Sequence, residues 1–209
     1  MSYLKEACVE SLEQAIIAEK NGANRIELCA NLELDGLTPS RELIGLVKSQ
    51  LQIPVHVMIR PRGGDFNYNS AEIEQMASDI TFCKEIGVEG VVLGMLANDK
   101  TIAVESVEKL AIIAKPMKCI FHKAIDETRN ILESVKCLRE TGLISGILTS
   151  GGESTAIKGL SQLKNILLEA GDMQVICAGK ITDGNIEELH QKIGAKAYHG
   201  KRIVPGLEK

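Results

Sequence analysis

The sequence twice places a glutamate and a cysteine two residues apart, in "KEACVE" and "RIELCAN": Glu6 with Cys8, and Glu27 with Cys29. In a strand the side-chain period is two, so each Glu points the same way as its Cys. A carboxylate on a strand buried on both faces is costly unless paired, and an inward position near an open end is the tolerable arrangement. Two thiolates on neighbouring strands suit a soft ion such as Cu(I). The same thiols also read as small core residues beside structural ion pairs.

A third segment, "MIRPRGGDFNYN", follows an apolar run with Arg60, Arg62, a Gly-Gly pair and Asp65. Pro61 ends a strand and the glycines let the backbone turn tightly. The two guanidinium groups are expected to hold Glu6 or Glu27, or to grip a substrate carboxylate or phosphate with paired hydrogen bonds. Asp65 is expected to orient one of them. "FHKAID" puts His122 at a strand end, where it can shuttle a proton, and Asp126 before a helix, as tautomer-holder or N-cap. "LTSGGES" and "CAGKITDGN" supply two glycine-bearing turns ahead of helices. There Ser150, Gly151, Gly152 and Gly179, with Lys180, have the composition of an anion grip. His199, near the end of the chain, can approach Cys8 or stand in solvent.

These groups need elements to carry them. Short β-branched runs recur at Leu4–Cys8, Arg25–Cys29, Val55–Arg60, Gly90–Leu93, Lys118–His122, Gly146–Thr149, Gln174–Ala178 and Ala197–His199. Between them lie segments with apolar residues three and four apart, as in "SLEQAIIAEKNG" and "NILESVKCLRETG". Ser11 with Gln14 and Asn69 with Glu72 have capping-box spacing, and Thr38 precedes a proline that suits a first helical position. Gly22, Gly87, Gly142, Gly171 and Gly194 close helical patterns as left-handed caps. Eight such units without a GxGxxG turn predict one α/β domain over residues 1–209, a (β/α)8 TIM barrel. The eighth helix is short or missing, because only "GKRIVPGLEK" follows the last strand. An apolar groove left open beside the last and first strands would then favour a homo-oligomer.

Composition narrows the partners. A net charge of −4 and 3% aromatic residues without Trp argue against nucleic acid. No apolar run of membrane-spanning length and no leader-like N-terminus is present, so a soluble cytoplasmic protein with no membrane partner is expected. Six cysteines without a CxxC pair read as thiols rather than a disulfide or zinc scaffold.

Taken in order from Tyr3 to His199, "EACVESLEQAIIAEKNGANRIELCANLELDGLTPS", "IPVHVMIRPRGGDFNY", "FHKAID" and "LTSGG" resemble the copper homeostasis protein CutC family. The resemblance implies a (β/α)8 barrel, a cytosolic protein and a link to copper. It also implies Cu(I) at the cysteine pair that falls on Cys8 and Cys29. Its polar mouth residues fall on Glu6, Glu27, Arg60, Arg62, Asp65, His122 and Asp126. Two functions follow as expectations. One is a copper homeostasis protein binding Cu(I) through Cys8 and Cys29. The other is a TIM-barrel enzyme of unspecified reaction on a small anionic or phosphorylated substrate. In it Arg60 and Arg62 bind the anion, the glycine turns seat a phosphate, and Glu27, His122 and Asp126 are the catalytic set.

Overall fold

The computed structural model describes residues 3–207. Eight parallel strands close into a barrel in sequence order: β1 (Leu4–Val9), β2 (Arg25–Leu28), β3 (Val55–Met58), β4 (Gly90–Leu93), β5 (Lys118–Phe121), β6 (Gly146–Thr149), β7 (Gln174–Cys177) and β8 (Ala197–Gly200). Among the described residues seven α-helices pack outside: α1 (Leu12–Lys20), α2 (Arg41–Gln50), α3 (Ser70–Glu85), α4 (Val104–Ala114), α5 (Ile131–Thr141), α6 (Leu160–Glu169) and α7 (Ile186–Ile193). The TIM-barrel expectation therefore holds, and no helix follows β8 among the described residues.

Alternation along the strands separates two cores. Outward residues such as Val9, Ile26, Val57, Val91, Phe121 and Ile147 join the helices' apolar faces in a large cluster. Inward residues Cys8, Met58, Val92, Ile120, Leu148 and Ile176 form a smaller one inside the barrel. The glutamates of both Glu-x-Cys pairs share the inward face and are buried. Cys29, Arg60, His122 and Ala178 lie one or two residues beyond their strands' ends. They occupy the C-terminal rim, where barrels of this kind carry their chemistry.

Local signals explain most boundaries. Asn69 and Glu72 form a reciprocal capping box at α3. Ser11 caps α1 by accepting from the Gln14 amide, but the Gln14 side chain takes the Glu10 amide rather than closing the box. The five helix-ending glycines all have positive φ. Thr38 is a correction: α2 starts later, capped by Ser40, and the Thr38 hydroxyl accepts the Arg60 amide instead. The expected open groove beside β8 and β1 is a second correction. Ile203, Val204 and Leu207 are buried there. Their segment is tied down by a bridge between Thr182 and Arg202 and by Asn21 donating to the Pro205 carbonyl.

Candidate functional site

A cavity of about 400 Å3 opens at the C-terminal rim. Of the residues singled out in the sequence, Cys8, Glu27 and Cys29 line one side of it. Arg60, His122, Asp126, Ser150 and Gly152 line the other. Glu6 lies beneath, and Arg62, Asp65, Gly151, Gly179 and Lys180 are not among the lining residues.

The side made by β1, β2 and β8 is a largely buried ionic cluster, with His199 partly exposed at the cavity. Glu6 accepts from Arg25 Nε, and both residues are buried. Gln174 accepts from Arg25 Nη1 at 3.0 Å. The other Glu6 oxygen lies 3.0 Å from Nδ1 of His199, and His199 Nε2 lies 3.6 Å from Glu27. Cys8 Sγ is 3.9 Å from Cys29 Sγ, and Cys29 is 3.7 Å from Glu27. Donor atoms of Cys8, Glu27 and His199 all lie within 4.8 Å of one another. His56 sits below, its Nδ1 3.8 Å from Glu6, over Gly90, where a Cβ would come within 2.6 Å of the ring.

Burial and neighbours divide the charges. Burial opposes ionisation of Glu6, yet Arg25, His199 and His56 hold it down at about 2. Contact with Cys29, then His199 working against burial, lowers the Cys8 thiol to about 5. Cys29 is pushed up because Cys8 already carries the charge. Burial, with Cys8 and Glu6 nearby, drives Glu27 well above the carboxylate range, against the pull of His199. Burial would discharge His199, but Glu27, Cys8 and Glu6 outweigh it and keep it protonated. Arg25 and His199 thus face Glu6 and Cys8, while Glu27 and Cys29 are both shifted towards their protonated forms.

The opposite side is built differently. Neither Arg60 nor Arg62 reaches Glu6 or Glu27. Arg62 binds Asp65 and stacks over Tyr68 within its own loop, and binds Glu72 in the first turn of α3. Arg60 donates to the carbonyls of Leu34, Gly36 and Gly64, and its guanidinium lies over Phe66. His122 does not meet Asp126. Its Nδ1 accepts the Ala124 amide at 3.1 Å, so the histidine is itself a cap. The turn after β6 grips an anion of the chain's own making. The Asp126 carboxylate accepts from Thr149 Oγ1, from the Ser150 amide and hydroxyl at 2.9 Å each, and from the Gly152 amide at 2.9 Å. Those contacts and Lys123 outweigh burial and hold Asp126 below its ordinary value. Gly179 serves close packing instead: a Cβ there would meet the Ala156 nitrogen at 2.6 Å.

Arg25 is the central residue that the sequence reading passed over. The period-two rule that paired Glu27 with Cys29 also turns Arg25 inward, and the parallel register sets it beside Glu6.

The family model described as "CutC family" matches residues 3–204. A copper homeostasis protein cutC homolog from Homo sapiens is 41% identical over 198 residues, 94% of this chain and 72% of that protein. A family protein CutC from Salmonella schwarzengrund is 38% identical over 200 residues, 91% of this chain and 80% of that one. A crystal structure from Streptococcus agalactiae, described as a copper homeostasis protein CutC, superposes with a TM-score of 0.92 at 32% identity. It covers 97% of this chain and 100% of its own. A dihydrodipicolinate synthase from Bacillus anthracis shares the barrel alone, at TM-score 0.66 and 17% identity over 96% of this chain and 70% of its own.

Proposed function

The chain belongs to the CutC family, and we propose that it serves copper homeostasis in the cytoplasm by binding Cu(I) between Cys8 and Cys29. The observation that carries this reading is the 3.9 Å separation of the two sulfurs in the buried cluster. Two thiolate–metal bonds of about 2.3 Å each span up to about 4.6 Å, so one ion can reach both sulfurs. Thiolates are the ligands that favour Cu(I) over harder ions.

The charge balance supports a monovalent ion in particular. Cys8 already lies in its thiolate range, whereas Cys29 keeps its proton because of that neighbour. Exchanging the Cys29 proton for Cu(I) leaves the total buried charge unchanged. A divalent ion exchanged for the same proton would leave one extra positive charge in the buried cluster. Glu6 holds the His199 ring by Nδ1 and so leaves Nε2 facing the Cys8 and Glu27 side, as an outer carboxylate orients histidines around metal sites. Copper when bound would supply a soft acceptor for thiolate; the cluster supplies charge balance, and the displaced Cys29 proton leaves to solvent.

The test is anaerobic competition for Cu(I) against a chelator of known affinity. Wild type should take one equivalent. Cys8→Ser/Cys29→Ser should lose affinity by more than the about 10–100-fold expected when only an outer partner is removed, the loss predicted for Glu6→Gln. Unchanged affinity in the double cysteine variant eliminates the site.

A further inference from the structure

The inner wall of the barrel carries sulfur on three consecutive strands and hydrocarbon on the rest. Among the described residues, the sulfur atoms of the inner cluster belong to Cys8 on β1, Cys29 just past β2 and Met58 at the end of β3. Beyond Met58 the same cluster holds only aliphatic side chains, from Val92 on β4 to Ala197 on β8. The other described methionines, Met76, Met95, Met117 and Met173, pack in or against the outer cluster.

Parallel register sets this third sulfur beside the pair. Glu27 aligns with His56 and Leu28 with Val57, so the next step along both chains brings Met58 next to Cys29. The period of two that turns Glu27 inward turns both of them inward as well. Neighbouring strands run about 4.8 Å apart, and methionine has three rotatable bonds with which to carry its sulfur across that gap. Met58 is buried, yet it lines the cavity together with Cys8 and Cys29.

The remaining groups near the thiols suit a soft ion less well. His199 is engaged at both ring nitrogens, by Glu6 at 3.0 Å and by Glu27 at 3.6 Å. Glu27 offers only hard oxygen. A thioether is soft and neutral and has no proton to lose, so it can coordinate a monovalent ion without disturbing those pairs. Resting on the copper reading above, we propose that Met58 is a third ligand. The site then holds Cu(I) between two thiolates, from β1 and β2, and one thioether from β3.

The test is X-ray absorption at the copper edge of selenomethionine-labelled protein loaded anaerobically with one equivalent of Cu(I). Wild type should show sulfur neighbours and one selenium neighbour, and Met58→Leu should show sulfur alone. Leucine nearly conserves the volume, so the variant should keep its melting profile, while its Cu(I) affinity in chelator competition should fall by about tenfold. Copper bound by sulfur with no selenium neighbour overturns the Met58 proposal and leaves the cysteine reading standing. A selenium neighbour that persists in Met58→Leu also overturns it. Cu(I) binding that survives Cys8→Ser/Cys29→Ser overturns both. If Met58→Leu fails to fold, the wild-type spectrum decides alone, because the other described methionines lie with the outer cluster.

Discussion

On the β5–β6 side of the mouth, the Asp126 carboxylate collects donors from Thr149, Ser150, Gly152 and Lys123. On the β1–β2–β8 side, Glu27 has one oxygen without a partner and the other beside Cys29. Both groups are largely buried acids at the end of one barrel, yet the first is filled by its own fold and the second retains unmet capacity. The same contrast separates the two distinctive sequence motifs. "IRPRGGDF" spends Arg62 and Asp65 on closing its own loop, whereas the two plain Glu-x-Cys runs meet where donor atoms of Cys8, Glu27 and His199 lie within 4.8 Å of one another. Unusual sequence marks a demanding turn here as much as a site.

Substitutions on the two sides should differ in kind, and the largest effect belongs to the cysteine side. Arg25→Met strips Glu6 of its buried partner, and urea unfolding should show a loss of about 3–5 kcal/mol. Converting Glu6 to Gln in the same chain should recover part of that loss. If Arg25→Met is neutral, the cluster does not depend on charge balance and the contrast fails.

Asp126→Ala removes the acceptor of the β6 turn and should cost about 2–3 kcal/mol by the same measurement. Cu(I) competition by this variant should match wild type, because the filled side holds the rim rather than the ion. A selective loss of copper with intact stability would merge the two sides into one site.

Acid sharpens the comparison further. His56 and His122 are lowered by burial, to about 4 and about 3. Below pH 6.5 the unfolded chain therefore binds protons that the folded chain refuses, and stability falls on acidification. Each group contributes a slope of about 1.4 kcal/mol per pH unit until its folded value is approached. Glu6, held near 2, adds stability that is present above 4.5 and is lost as pH falls towards 2. Urea midpoints between pH 7 and 4 should decline, and less steeply in His122→Phe. A pH-independent midpoint contradicts the neutral imidazoles. The smallest effect is expected from Asp65→Asn: Asp65 is exposed, and Arg62 keeps Glu72, so the melting temperature should not move measurably.

The barrel was legible because its signals are local. Apolar runs, the Asn69–Glu72 cap and glycines at left-handed positions each act within a few residues, and they fix strand, helix start and helix end. Thr38 was misread because a residue beside a proline can serve a distant partner, here the Arg60 amide, as well as a helix start. The inward direction of Glu6, Cys8, Glu27 and Cys29 was also legible, from the period of two. Which cation meets Glu6 was not, because that depends on parallel register between strands 19 residues apart. Asp126 was open between two roles and took a third, since the turn that claims it arrives more than 20 residues later.

The contact between Glu6 and His199 joins residues 193 positions apart. Cys8 and Cys29 lie early in the chain, but the imidazole that balances their charge is supplied by the last strand. During synthesis the thiol pair is therefore made long before its counter-charge, and the closing of β8 on β1 is also the step that completes the cluster. A truncated or unclosed chain has the cysteines but not their balanced setting, so the chemistry of the site is tied to completion of the fold.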